Sequence, residues 1–170
     1  FRPVPGDIKL EGPPTITPEK IDEVLKSYGS PATGLGKFIY DEGVRTGINP
    51  AVALAFFIQE SSAGTVGVAR TTKSWGNIKA VGNEPSYKGF RAYNTYEEGI
   101  THWYNLISDR YLAPKSEGGR GYEYLSQVIG TYAPASDNND ERAYVANVKG
   151  MVQGWERSLG DQPRDDRAYV

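Results

Sequence analysis

Glu60 is the first side chain in this sequence whose position alone suggests chemistry. It follows almost directly on residues 51–58, AVALAFFI, which are apolar on every side, and it precedes Ser61, Ser62 and Gly64. A helix over that run carries Glu60 in its last turn, beside the core. Two effects then raise its pKa. Desolvation disfavours the charged carboxylate, and so does the negative end of the helix dipole. A carboxyl kept protonated near neutral pH is a general acid, able to hand its proton to a leaving oxygen. A last-turn glutamate pointing into solvent would occupy the same place.

Other chemistries find few residues to work with. The chain has 170 residues, no Cys and a single His, His102, which lies beside Trp103. That removes disulfides and thiol nucleophiles and leaves no ligand set for zinc. A serine–histidine pair would need His102, and no nucleophile-elbow pattern is present. No phosphate-binding glycine motif occurs. The acidic run at residues 137–140 lacks the spacing and terminal glutamate of a calcium loop, and reads better as a solvated helix cap. No metal and no cofactor is expected.

Composition narrows the partners. Net charge is −2 with both signs scattered, so no clustered basic face for nucleic acid is expected. No apolar run approaches the roughly 20 residues that span a bilayer, so no membrane insertion is expected. Hydrophobic residues make up 38% and charged ones 24%, which suits one folded domain, expected as a monomer. The 12 Tyr and 3 Trp are side chains that can stack on sugar rings with a polar edge to spare, although core packing uses them too. The chain starts at Phe1 without an apolar signal core, which leans towards a processed, exported protein.

The elements that position these residues follow from punctuation and periodicity. Residues 1–16 carry four prolines and should form an extended arm. Thr17 and Pro18 start a helix with Ile21, Val24, Leu25 and Tyr28 at helical spacing, closed by Gly29. A second helix is expected over about 35–46, with Phe38, Ile39 and Val44 inward and Gly47 as its stop. Asn49 and Pro50 open the helix of the apolar run, which should be buried all round and central. Between Ser74 and Tyr93, turn formers alternate with apolar residues, so a small hairpin or irregular β excursion is expected. Thr95 and Glu98 form a capping box for a helix whose inner face is Ile100, Trp103, Leu106, Ile107 and Tyr111. A glycine-rich loop at 117–121 precedes a helix over about 122–131, ended by Pro134. A last helix covers about 140–159, and a charged tail fills 161–170. The fold class is therefore α+β and predominantly α, a single domain over 17–160.

Four blocks in this order resemble one family. The stretch INPAVALA with QESSAGT (residues 48–55 and 59–65), the segment SWGNIK (74–79), FRAY (90–93) before the Thr95 helix start, and TYAP with DNN and Tyr144 (131–144) look like the motifs of bacterial glucosaminidases and related lysozyme-superfamily enzymes. The resemblance spans roughly residues 17–159. It implies a lysozyme-like fold, a secreted or cell-wall-associated protein, peptidoglycan glycan strands as substrate, and Glu60 as catalytic acid. It also implies that a second carboxylate, where one exists, lies in the β excursion. Glu84 is the best placed there, with Glu97 and Glu98 as competitors and an exposed turn glutamate as the plain alternative. A hydrolase would want that partner about 5 Å from the acid if retaining, or about 6.5–9.5 Å if inverting. Lytic transglycosylases of the superfamily do without it.

Tyr132 stands just before Pro134 and can project from a helix end into a cleft; its counterpart in the family is an active-site tyrosine. Ser74 belongs to the segment that resembles the cleft lining. Trp75, Tyr87 and Tyr93 are candidate sugar platforms or core residues. Asn77 can bond an acetamido group or shape a turn. The expectation is a peptidoglycan hydrolase of N-acetylglucosaminidase or muramidase type. A lytic transglycosylase and a non-catalytic wall-binding domain are its rivals.

Overall fold

The computed structural model describes residue 4, residues 6–132 and residues 140–160. Pro134, the end of the TYAP block, residues 137–139 and the charged tail lie outside them. Seven α-helices and one two-stranded antiparallel sheet make up the described chain, an α+β fold that is mostly α. The order is α1 (Pro18–Ser27), α2 (Gly36–Thr46), α3 (Pro50–Ser61), α4 (Ala69–Thr72), β1 (Ser86–Tyr87), β2 (Phe90–Arg91), α5 (Tyr96–Leu106), α6 (Leu125–Tyr132) and α7 (Glu141–Gly160). A π-helical turn, Ile107–Leu112, continues α5, and a short 3-10 turn, Lys115–Glu117, follows it.

The core forms around α3. Asn49 caps it, its side chain accepting the Ala51 N–H at 3.0 Å, and Pro50 supplies the preset first turn. Every residue from Pro50 to Ile58 is buried, as an all-round apolar helix must be. Helices α2 and α7 pack on α3, with α1 and α5 against α2 and α6 against α7. Gly43 lets α2 approach closely, since a Cβ there would lie 2.8 Å from the Ile48 carbonyl oxygen and 2.9 Å from Pro50 Cδ.

Several boundaries differ from the periodicity reading for local reasons. Val44 is 56% exposed, not inward. The buried stripe of α2 is Gly36, Ile39 and Gly43, and a residue five positions after Ile39 has rotated well off that stripe. In α5 the buried residues include Tyr104, whose hydroxyl donates to the Ile39 carbonyl at 3.0 Å, while Leu106 and Tyr111 are only partly buried. The Thr95 hydroxyl accepts the Glu98 N–H at 3.2 Å as a cap should. The Glu98 carboxylate reaches back one residue further than a capping box requires, to the Asn94 N–H at 3.1 Å.

Helix α6 begins at Leu125 rather than near 122, because the preceding backbone pairs with the N-terminal arm. Lys9 bridges Tyr124, Leu10 N–H donates to Glu123, and Leu125 N–H donates to Ile8. Glu11 bridges Ile48 on the other side, and Leu10 is fully buried. The described part of the arm is sewn between the starts of α3 and α6. The β excursion is a hairpin with Ser86 opposite Arg91 and Tyr87 opposite Phe90. Lys88 and Gly89 both take positive φ at its two-residue turn (51° and 84°), which matches the twist of the strands.

Candidate active site

Helix α3 delivers Glu60 to the edge of the core. Ser62 and Ala63 follow in left-handed backbone conformations (φ 49° and 62°), turning the chain away immediately after it. Tyr144 of α7 donates its hydroxyl to Glu60 Oε1 at 2.7 Å. Asn77 donates its amide to the Glu60 backbone carbonyl at 3.2 Å and lies close enough to the carboxyl to favour its charged form. Burial outweighs both contacts and holds the Glu60 pKa above the ordinary carboxylate value. The sequence argument about desolvation thus has its counterpart in the fold.

Tyr132, in the last turn of α6, is the next neighbour. Its hydroxyl donates to the Gly76 carbonyl, and its ring meets Phe56 edge-on at 5.3 Å. Tyr144 meets the same Phe56 at 5.6 Å. Burial and then the charge of Glu60 push both phenols well above their ordinary value. They are therefore neutral hydroxyl donors throughout the range in which Glu60 titrates. Tyr144 entered the sequence reading only as part of a motif, and 84 residues separate it from Glu60. Tyr144 and Asn77 are the hydrogen-bond partners that tune the acid.

Asn77 takes a left-handed φ of 51°, so it does shape a turn. Its Nδ2 must face the Glu60 carbonyl, which leaves Oδ1 buried with no donor among the described residues. A buried acceptor without a partner costs stability.

Trp75 takes the core alternative, and Ser74 is buried beside it in sequence. Trp75 is 1% exposed, its ring stacked on Phe57 at 4.0 Å and its Nε1 donating to the Ala53 carbonyl at 2.9 Å. No face of this ring is open to a sugar. Ser74 is fully buried and its Oγ accepts the Ile78 N–H at 3.3 Å. Both pin residues 74–78 against α3, and so bring Asn77 to Glu60.

The hairpin carries a second group of polar residues. Glu84 accepts the Val81 N–H at 2.8 Å and pairs with Arg91 Nε at 3.2 Å. Its charge acts on Tyr93 and His102, and it is not among the groups that shift Glu60. The Arg91 guanidinium lies over the Tyr93 ring at 5.2 Å. Burial raises the Tyr93 phenol and lowers His102, and the Tyr93 hydroxyl and His102 Nδ1 share a hydrogen bond. One face of Tyr93 is therefore covered, though its field still reaches Tyr132. Tyr87 is 39% exposed on the hairpin with the Lys88 ammonium 5.4 Å from its ring centre, and it is free to meet a ligand at that rim.

Around one raised carboxyl the fold therefore gathers two neutral phenols and an orphan amide oxygen. Such a set can protonate a leaving oxygen and then stabilise the carboxylate left behind. No family model matches this chain, and no curated protein compared with it matches either.

Proposed function

We propose that this protein cleaves the glycan strands of peptidoglycan, with Glu60 as general acid. The observation that carries the reading is the Glu60 carboxyl at the end of the buried α3, raised by desolvation and bonded by the Tyr144 hydroxyl at 2.7 Å. The ordered resemblance of four sequence blocks to glucosaminidases and their lysozyme-superfamily relatives adds the substrate class. The proposed setting is outside the cell or in its wall.

In this reading the Glu60 proton passes to the bridging glycosidic oxygen as the C1–O bond breaks. The departing sugar keeps both bonding electrons and that proton as a hydroxyl group. Positive charge spreads over C1 and the ring oxygen. Glu60 is now a carboxylate, and the Tyr144 hydroxyl and the Asn77 amide stabilise it. Water then adds at C1 and returns its spare proton to Glu60.

A second reading, lytic transglycosylase, is favoured by one observation. The side chains acting on Glu60 are Tyr144 and Asn77, while Glu84 is engaged with Arg91 and the Val81 N–H. With no carboxylate among the described residues acting on Glu60 to direct water, the sugar's own C6 hydroxyl can attack C1, and Glu60 takes up the hydroxyl proton. The product is then an anhydro sugar, one water lighter.

The test is mass spectrometry of soluble fragments from purified peptidoglycan treated with the parent protein or with Glu60→Gln. Fragments from the parent alone support the proposal. Their reducing ends name the bond, and the water count separates the two readings. No fragments from either protein would sink it and bring forward a non-catalytic wall-binding domain.

A further inference from the structure

A row of tyrosines leads away from Glu60. The Tyr132 ring lies 6.3 Å from Tyr111, and Tyr111 stacks nearly parallel on Tyr122 at 6.2 Å with 15° between planes. Tyr111 belongs to the π-helical turn after α5, a rare geometry often found where a helix serves a site. Beside Tyr111, the middle of this row, is a cavity of about 340 Å³ lined by Leu106, Arg110, Tyr111, Gly118 and Arg120.

Among the described residues, Arg110 and Arg120 line one hollow with no carboxylate beside them in its lining. Among the described residues neither arginine has an ion-pair partner. The nearby Asp109 directs its field at Arg45. The loop that carries Arg120 is not free to swing away. Gly121 N–H donates to the Ala113 carbonyl at 2.8 Å, and Tyr122 N–H donates to the Tyr111 carbonyl at 2.8 Å. Gly119 packs so tightly that any Cβ would run into the Ala113 carbonyl oxygen. The positive field reaches the aromatic row itself. The Tyr122 phenol is held below its ordinary value, first by its bond with Thr131 and then by Arg120 and Lys115.

Two cationic side chains lining one pocket make it favourable for an anion. We propose that this pocket is a subsite for a carboxylate carried on a side branch of the glycan, with the tyrosine row supporting the sugars between it and Glu60. The proposal rests on the peptidoglycan reading above. In such a strand the carboxylate has two possible sources. One is the stem peptide, and the other is the lactyl group left free where the peptide has been removed. Arginine pairs bind a planar carboxylate through paired N–H donors, which the shape of the pocket permits.

The experiment uses the full chain as Glu60→Gln, so that no turnover intervenes, and measures Kd by calorimetry for three soluble probes. They are glycan oligomers with stem peptides, the same oligomers stripped of peptide by an amidase, and uncharged N-acetylglucosamine oligomers of equal length. The expected result is a preference of about tenfold for a carboxylate-bearing probe over the uncharged one, as two partly exposed charge pairs would supply. That preference should shrink at high salt, collapse in Arg110→Gln/Arg120→Gln, and persist in Arg110→Lys/Arg120→Lys. Which charged probe carries it names the source. No preference, or one that survives Arg110→Gln/Arg120→Gln, overturns the subsite. Wall cleavage by the parent, assayed in parallel, tells the failures apart. Fragments released without any charge preference sink the subsite alone. A charge preference without fragments sinks the cleavage reading alone.

Discussion

Tyr144→Phe isolates the hydrogen bond that tunes Glu60. The substitution removes one oxygen and keeps the ring, so the edge contact with Phe56 at 5.6 Å survives. What disappears is a 2.7 Å hydroxyl bond to a carboxyl oxygen. Such a bond contributes about 2 kcal/mol when its acceptor is charged and about 1 kcal/mol when it is neutral. The cost of the substitution must then depend on pH. Burial raises the folded pKa of Glu60 above its ordinary, unfolded value of 4.5. The stability contributed by its neutral form is complete below that unfolded value and is lost as pH rises through the folded one. Tyr144 limits the loss because it favours the charged form, and without it the loss is larger and continues to higher pH. Urea unfolding of parent and Tyr144→Phe from pH 4 to 9 should show a gap of about 1 kcal/mol at the acid end. That gap should widen to about 2 kcal/mol at the alkaline end, where the extra 1 kcal/mol lowers Tm by a further 2–4 °C in a chain of this size. The alkaline limb of wall cleavage should also move to higher pH, since Glu60 keeps its proton longer. A gap that stays constant with pH, or a limb that moves down, would refute the coupling.

Four further outcomes follow from the same geometry. Glu60→Gln should cut fragment release by about 10²–10⁴-fold, yet unfold at higher urea than the parent above neutral pH, because the penalty of burying a charge is gone. Equal stability at all pH values would contradict the burial argument. Gly76→Ala puts a Cβ 2.5 Å from the Tyr132 hydroxyl and 2.8 Å from the Trp103 ring, and should cost about 1–3 kcal/mol by calorimetry. Trp75→Ala should cost about 3–5 kcal/mol in chemical unfolding, while glycan added to the parent should leave Trp75 inaccessible to an aqueous quencher as before. Glu84→Gln should cost no more than about 1 kcal/mol, as a partly exposed ion pair does. By mass spectrometry it should leave the ratio of anhydro to hydrolysed products unchanged; a change in that ratio would restore Glu84 as a partner in the chemistry.

Local chemistry was legible wherever one stretch of chain settles the matter alone. The caps at Thr17, Asn49 and Thr95, the proline first turns and the all-round apolar α3 all follow from neighbours within four residues. Glu60 at the edge of the core is of the same kind, because burial of the preceding nine residues forces it there. The hairpin over 86–91 was legible as turn formers among apolar residues.

What the sequence left open depends on which distant side chain arrives where. Trp75 and Tyr93 are aromatic residues of equal promise as sugar platforms. Only packing decides that Trp75 faces Phe57 and that Arg91 covers Tyr93. Glu84 and Tyr144 differ likewise. Either could have met Glu60, but the hairpin turns Glu84 to Arg91 while α7 packing on α3 brings Tyr144 across 84 positions of chain. Residue spacing along one helix or strand is dictated by backbone geometry, and so it can be read from the sequence. The meeting of α3, α6, α7 and the 74–78 segment at one carboxyl is decided by the close packing of the whole core, which the folded molecule alone displays.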